Sequence, residues 1–175
     1  MDTMDAIFSR KSIRNFTGEK ISAQDFEAIL RSTDTSPVGR SLYDTLHITI
    51  VEKPELLKDI DEHAAKVFGQ PAFHPLYEAP TLLVISATNS EGPVGNTQYS
   101  NAAILVHTIT MAAVALGVGH CDIWGSIQVM HDGLKAQLDL PEGFEPCCGI
   151  VLGKTNETYE KREFPENRIT KNYIK

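Results

Sequence analysis

The stretch from Asn101 to Gly117, NAAILVHTITMAAVALG, constrains this chain more than any other, because it carries no Asp, Glu, Lys or Arg and leaves no continuous polar stripe. A helix written this way has to be covered on nearly all sides. The pattern predicts one long helix from about Thr97 to Leu116, stopped by Gly117 and placed either in the core or at a subunit interface. Its longest apolar run, Met111 to Val118, is short and diluted by alanine and glycine, so no membrane span is expected.

Other elements follow from capping signals and periodicity. Thr3 to Ser9 fits a short helix, and Ser22 with Asp25 three residues on opens a second, with Phe26, Ile29, Leu30 and Thr33 at helical spacing. Thr45 to Val51 alternates as a strand with Leu46, Ile48 and Ile50 inward. Pro54 to Phe68 reads as a helix begun by proline and stopped by Gly69. The wholly covered run Thr81 to Ala87 reads as a central strand. Beyond the long helix come a strand around His120 to Trp124, a helix over Gln128 to Leu138, a turn from Asp139 to Gly143 and a strand from Cys147 to Leu152. The final twenty residues are polar with isolated Phe164, Ile169, Tyr173 and Ile174, a tail either frayed or laid across a partner subunit. At 175 residues without repeats or long linkers, the prior is a single domain over 1–175.

The net charge of −7 argues against a nucleic-acid surface, so any anionic ligand needs a local cluster of positive charge. The acidic start MDTMDAIFSR does not read as a secretory leader, and the expected compartment is the cytoplasm. Cys147 and Cys148 are neighbours in a strand and should point to opposite faces, while Cys121 stands alone and reads as a core thiol. His47, His63, His74, His107, His120 and His131 show no ligand spacing, and no metal site is expected. Gly117, Gly119 and Gly125 follow a helix instead of opening one, which is not a dinucleotide fingerprint.

Against that background one short segment stands out. Arg10-Lys11-Ser12-Ile13-Arg14-Asn15-Phe16 sets three cations and a hydroxyl within five residues, either a phosphate site or a solvated basic turn. Lys161 and Arg162, with Arg168 and Lys171 beyond, form a second basic cluster. The two clusters could meet around one anion, or each could be an ordinary exposed run.

RKSIRNF resembles the R-[RK]-S-x-R-x-[FY] signature that opens nitroreductase-family flavoproteins. Three further segments resemble the family in its order: Ser36 to Val51, the loop leading into the first strand; Asn101 to Gly125, the interface helix and the segment beside the flavin ring; and Leu138 to Glu157, the L-x-[IL]-P-E-G-[YF]-x-P element. The resemblance implies an α+β fold with a central, mostly antiparallel sheet flanked by helices, and a C-terminal tail exchanged across a homodimer. It implies FMN, with Arg10, Lys11, Ser12, Lys161 and Arg162 toward the phosphate and Arg14 toward the pyrimidine or ribityl side. Ser36, Pro37, Val38, Gly39 and Ser41 would reach the flavin of the partner subunit, and the backbone of Ile123, Trp124 and Gly125 would lie beside the ring.

On this resemblance the activity is transfer of reducing equivalents from NAD(P)H to a small acceptor such as a nitroaromatic or quinone, in a ping-pong scheme. The flavin carries the chemistry and no catalytic side chain is required. Ser41, Tyr43 and Thr45 stand where the family has Asn, Gln and Trp, so the acceptor is not transferable from relatives. Two other readings stay open: a flavin store without turnover, and a structural dimer without flavin.

Overall fold

The polar residues ahead of the first two apolar runs act as caps, as their spacing predicts. Asp2 and Ser22 each accept the backbone N–H three residues on, from Asp5 at 2.9 Å and Asp25 at 3.0 Å. They open α1 (Thr3–Ser9) and α2 (Ala23–Ser32). The computed structural model describes residues 1–165 and 168–175. Pro54 sits in the first turn of α3 (Pro54–Val67), and α4 (Asn96–Leu116) ends at Gly117, whose φ of 73° is the left-handed conformation glycine takes without cost.

Four strands, β1 (Leu46–Val51), β2 (Thr81–Ala87), β3 (Gly119–Ile123) and β4 (Glu145–Gly153), form one sheet in the order β1-β2-β4-β3. Every pairing among them is antiparallel. Alternation along β2 sends Leu83, Ile85 and Ala87 to one side and Leu82 and Val84 to the other. The first side packs on Ile29 of α2 and on Ala102, Leu105, Val106, Ile109 and Ala113 of α4; the second packs on Leu56 and Ile60 of α3 and on Ile127 and Leu134. Helices therefore cover both faces of the sheet.

Among the described residues α4 is the one helix long and apolar enough to cross a membrane, a property that counting consecutive apolar residues does not reveal. Here it is the core helix of the sheet. Within its most apolar window 44% is buried, so a large part of it faces outward from the chain.

Three local expectations are corrected. The helix expected over Gln128 to Leu138 is broken into α5 (Gly125–Gln128), α6 (Asp132–Lys135) and a 3₁₀ turn (Ala136–Leu138). His131 is extended and its ring accepts the Gly133 N–H at 3.1 Å, so it caps a new start instead of continuing a turn. Cys147 and Cys148 do not separate to opposite faces. A bulge opposite Ile85/Ser86 gives β4 one extra residue, and both thiols join the cluster on the α4 side. Burial pushes them up to about 11 and about 12. In β1, Ile50 is exposed and Val51 is buried, because the end of the strand is covered from the α3 side.

Candidate functional site

β3 is an edge strand, and residues 10–19 run along its open side. The Ile13 N–H donates to the His120 carbonyl at 2.8 Å, Thr17 N–H to Lys154 at 3.0 Å, and Lys154 N–H to Glu19 at 2.9 Å. Ile13 is fully buried and anchors the segment, leaving Arg14 on the solvent side. Ser12, Arg14 and Arg10 all act on the Cys121 thiol, but burial outweighs them and holds it above its ordinary value. Cys121 is thus a core thiol in the ground state.

The second basic cluster comes to the same corner. The Arg162 N–H donates to the Phe8 carbonyl at 3.3 Å and its guanidinium donates to the Arg10 carbonyl. Lys161 pairs with Asp5 at 3.1 Å and lies over the Phe8 ring. Lys11 is taken up by Glu157 at 2.6 Å. Among the described residues neither Arg10 nor Arg162 has a carboxylate partner; the Arg162 guanidinium lies on the Arg10 backbone carbonyl and over the Phe164 ring, which brings the second basic cluster to the end of α1.

Beneath this corner His120 is fully buried and stacked on Tyr159. The Tyr159 hydroxyl lies 2.7 Å from both the Val118 carbonyl and His120 Nδ1. A carbonyl only accepts, so the phenol donates to Val118 and Nδ1–H donates to the phenol oxygen. Nε2 is left buried with no partner among the described residues. Burial drives the imidazole down to about 4, against the opposing pull of Asp122 and with a smaller push from Arg10. His120 is therefore neutral at physiological pH.

At the other end of β3, Ile123 is buried, Trp124 is exposed, and Gly125 starts α5. A Cβ on Gly125 would lie 2.8 Å from Phe68 Cζ, so the half-exposed Phe68 ring rests directly on that bare backbone. Beyond Phe68 the chain turns back as a strap. Asp61 of α3 fastens it, accepting His74 Nδ1 at 2.8 Å and Leu76 N–H at 2.7 Å. The strap delivers the Tyr77 hydroxyl to Arg14 Nε at 3.2 Å, with the guanidinium carbon 5.6 Å from the Tyr77 ring centre.

The loop Ser36–Ser41 does not join this corner within the chain. Its recorded contacts run to α4, where Gly39 N–H donates to Asn101 Oδ1 at 2.9 Å, and back on itself, where Tyr43 donates to the Ser36 carbonyl at 2.8 Å. Ser36 Oγ and Asn101 Nδ2 are buried and have no partner among the described residues. Val38 is buried, Pro37 is exposed, and Arg40 and Ser41 hold φ near 58° and 56°, a conformation that side chains adopt at a cost. Tyr43 thus has a positive task in holding the loop.

Of the residues singled out by motif, the fold brings together Arg10, Ser12, Arg14 and Arg162, with Ile123–Gly125 further along the same strand. Lys11 and Lys161 reach the corner but are neutralised there. Phe68, Tyr77, Asn101 and Tyr159 were not anticipated; each acts across dozens of residues, and nothing in local spacing signals it.

The α+β fold gathers basic residues from both ends of an acidic chain at one corner of its sheet, beside the Phe8 and Phe164 rings. The chain belongs to the nitroreductase family, whose model matches residues 7–154. A Methanothermobacter thermautotrophicus protein provisionally named NADH dehydrogenase/NAD(P)H nitroreductase is 26% identical over 179 residues, covering 97% of this chain and 86% of that one. The FMN reductase (NADPH) of Bacillus subtilis is 22% identical, covering 96% and 72%. Among solved structures, an FMN-bound nitroreductase from Desulfitobacterium hafniense superposes with a TM-score of 0.82 at 23% identity, covering both chains fully. One from Bacteroides fragilis, also with FMN, gives 0.81 at 22%, covering 99% of this chain and all of the other. These superpositions establish the α+β nitroreductase fold with its antiparallel four-stranded sheet.

Proposed function

We propose that this protein is an FMN-dependent oxidoreductase that takes reducing equivalents from NAD(P)H and passes them to a small acceptor such as a nitroaromatic or quinone. The observation that carries the reading is the contact of the Arg162 guanidinium with the Arg10 backbone carbonyl, which joins the two basic clusters from opposite ends of an acidic chain, neither arginine having a carboxylate partner among the described residues. A phosphate monoester carries close to two negative charges and takes several donors, which two guanidinium groups and the Ser12 hydroxyl supply. Lys11 and Lys161 contribute by exchanging their present carboxylates, Glu157 and Asp5, for the anion.

The donor set fits FMN beyond its phosphate. Arg14 keeps its terminal nitrogens available, since only its Nε is committed to Tyr77, and a cation there favours the reduced, anionic ring. Ile123, Trp124 and Gly125 offer backbone and a flat apolar face, with Phe68 lying over the last of them. FMN, when bound, supplies the hydride and electron transfer; the side chains bind, orient and tune. With no Rossmann motif to hold a nicotinamide separately, donor and acceptor use one site in turn.

The chain works as a homodimer in this reading. Ser36 Oγ is buried without a partner among the described residues, and Gly39 of the same loop is fixed by Asn101 of α4, which suits a loop that serves the partner's flavin. The outward part of α4 and the exposed Ile169, Tyr173 and Ile174 supply apolar surface for that interface.

The test is Arg10→Ala with Arg162→Ala. Each charge-assisted bond is worth roughly 1.5–3 kcal/mol, so the double variant should purify folded but without the yellow chromophore of the parent. Stoichiometric FMN in that variant overturns the assignment. A parent that neither contains flavin nor binds added FMN overturns the function.

A further inference from the structure

The strap that carries Tyr77 is built at a cost. Tyr77 and Glu78 hold consecutive φ values of 56° and 57°, a left-handed pair that neither side chain favours. Such conformations persist only where surrounding contacts over-determine them. Here the contacts are explicit. Asp61, itself mostly buried, grips His74 and the Leu76 N–H. Tyr77 N–H donates to the His74 carbonyl at 2.8 Å and Ala79 N–H to Leu76 at 3.1 Å, while Leu76 and Ala79 are buried on either side. The Phe73 ring packs edge-on to Tyr77, with centres 5.8 Å apart.

All of this presents one phenol to one guanidinium. Arg14 is an exposed side chain with four rotatable bonds, and alone it would spend most of its time elsewhere. Tyr77 accepts from its Nε and keeps its ring centre 5.6 Å from the guanidinium carbon, which favours the charged form and removes much of that freedom. The bond uses the one N–H that points back along the side chain. Four N–H donors on the terminal nitrogens stay free for a carbonyl-rich ligand edge.

We propose that Tyr77 is the positioning residue for Arg14: the Asp61-fastened strap pre-sets the guanidinium that meets the pyrimidine edge of the flavin. The part concerning flavin rests on the assignment of Arg14 made above. The part concerning Arg14 itself does not. Neither hydride transfer nor any proton step passes through Tyr77; it acts by ordering its neighbour.

Tyr77→Phe keeps the ring and removes the acceptor. In the parent, ¹⁵N NMR should show a slowly exchanging, downfield-shifted Arg14 Nε–H, identified by its loss in Arg14→Lys, and Tyr77→Phe should return it to the solvent-exposed arginine envelope. FMN affinity should fall roughly fivefold to tenfold, less than the loss of a whole hydrogen bond to a charged group, because Tyr77 orders Arg14 without itself touching the flavin. The potential of bound FMN should move negative. Adding Tyr77→Phe to Arg14→Lys should cost little more, since lysine has no Nε–H to hold. An unchanged Nε–H signal in Tyr77→Phe overturns the positioning role whether or not flavin binds. A changed signal with unaltered flavin affinity and potential keeps the clamp and rejects the contact of Arg14 with the flavin. Equal losses from Tyr77→Phe in the parent and in Arg14→Lys also overturn the proposal, because the phenol would then act by another route.

Discussion

His120 should make the protein acid-labile well above the range where carboxylates titrate. Its folded value of about 4 lies below the ordinary imidazole value of 6.5, so the folded state binds this proton less readily than the unfolded chain. The stability that neutral His120 permits is complete above pH 6.5 and is lost as pH falls toward 4. Fully expressed, the difference is about 3 kcal/mol, and by pH 5 it is already about 2 kcal/mol, a large share of the stability of a domain this size. The cause is geometric: a second proton on the ring would sit on Nε2, which is buried with no acceptor. His120→Asn keeps a donor toward Tyr159 and cannot titrate. Urea unfolding of parent and variant at pH 7.5 and pH 5, at equal flavin loading, should show the parent losing about 2 kcal/mol more than the variant. Carboxylates held low, such as Glu52 beside Lys20, contribute to both proteins and cancel. Equal losses would refute the argument.

Gly149→Ala should destabilise the fold by about 1–3 kcal/mol, because the new Cβ would lie 2.8 Å from the Leu83 carbonyl and 3.3 Å from Ile127 in the centre of the sheet. Its urea midpoint reads this directly. The holoprotein should sediment as a dimer at low micromolar concentration, since α4 and the tail leave apolar surface uncovered by the chain; a stable holo monomer would reject the interface assignment.

What could be read in advance was whatever a local rule governs. β2 runs from Thr81 to Ala87 as expected because Pro80 precedes an almost wholly apolar run, and α4 ends at Leu116 because Gly117 provides the left-handed stop. The break after Gln128 escaped notice because His131 caps through its ring, a role no propensity assigns to histidine. The bulge at Cys147 depends on a partner strand some sixty residues away, which alternation within β4 cannot report. The candidate site divides the same way. Arg10, Ser12 and Arg14 lie within five residues and announce themselves, whereas Tyr77 reaches Arg14 across 63 positions and Arg162 reaches Arg10 across 152. Those contacts exist only once the sheet has brought the ends together.

The strand order also sets a timetable for biosynthesis. Among the four described strands β4 is the last to leave the ribosome, yet it lies between β2 and β3 and bridges them. Until residue 153 has emerged, β3 lacks its strand partner β4, and the edge of β2 that faces away from β1 stands open along the strongly apolar run Leu82, Leu83, Val84 and Ile85. Such an edge templates association with other chains. The nascent protein therefore depends on early cover from α3 and α4, and its final closure is a long-range event of the kind that makes folding slow. A ribosome stalled short of Glu145 would hold a chain that lacks the strand joining β2 to β3.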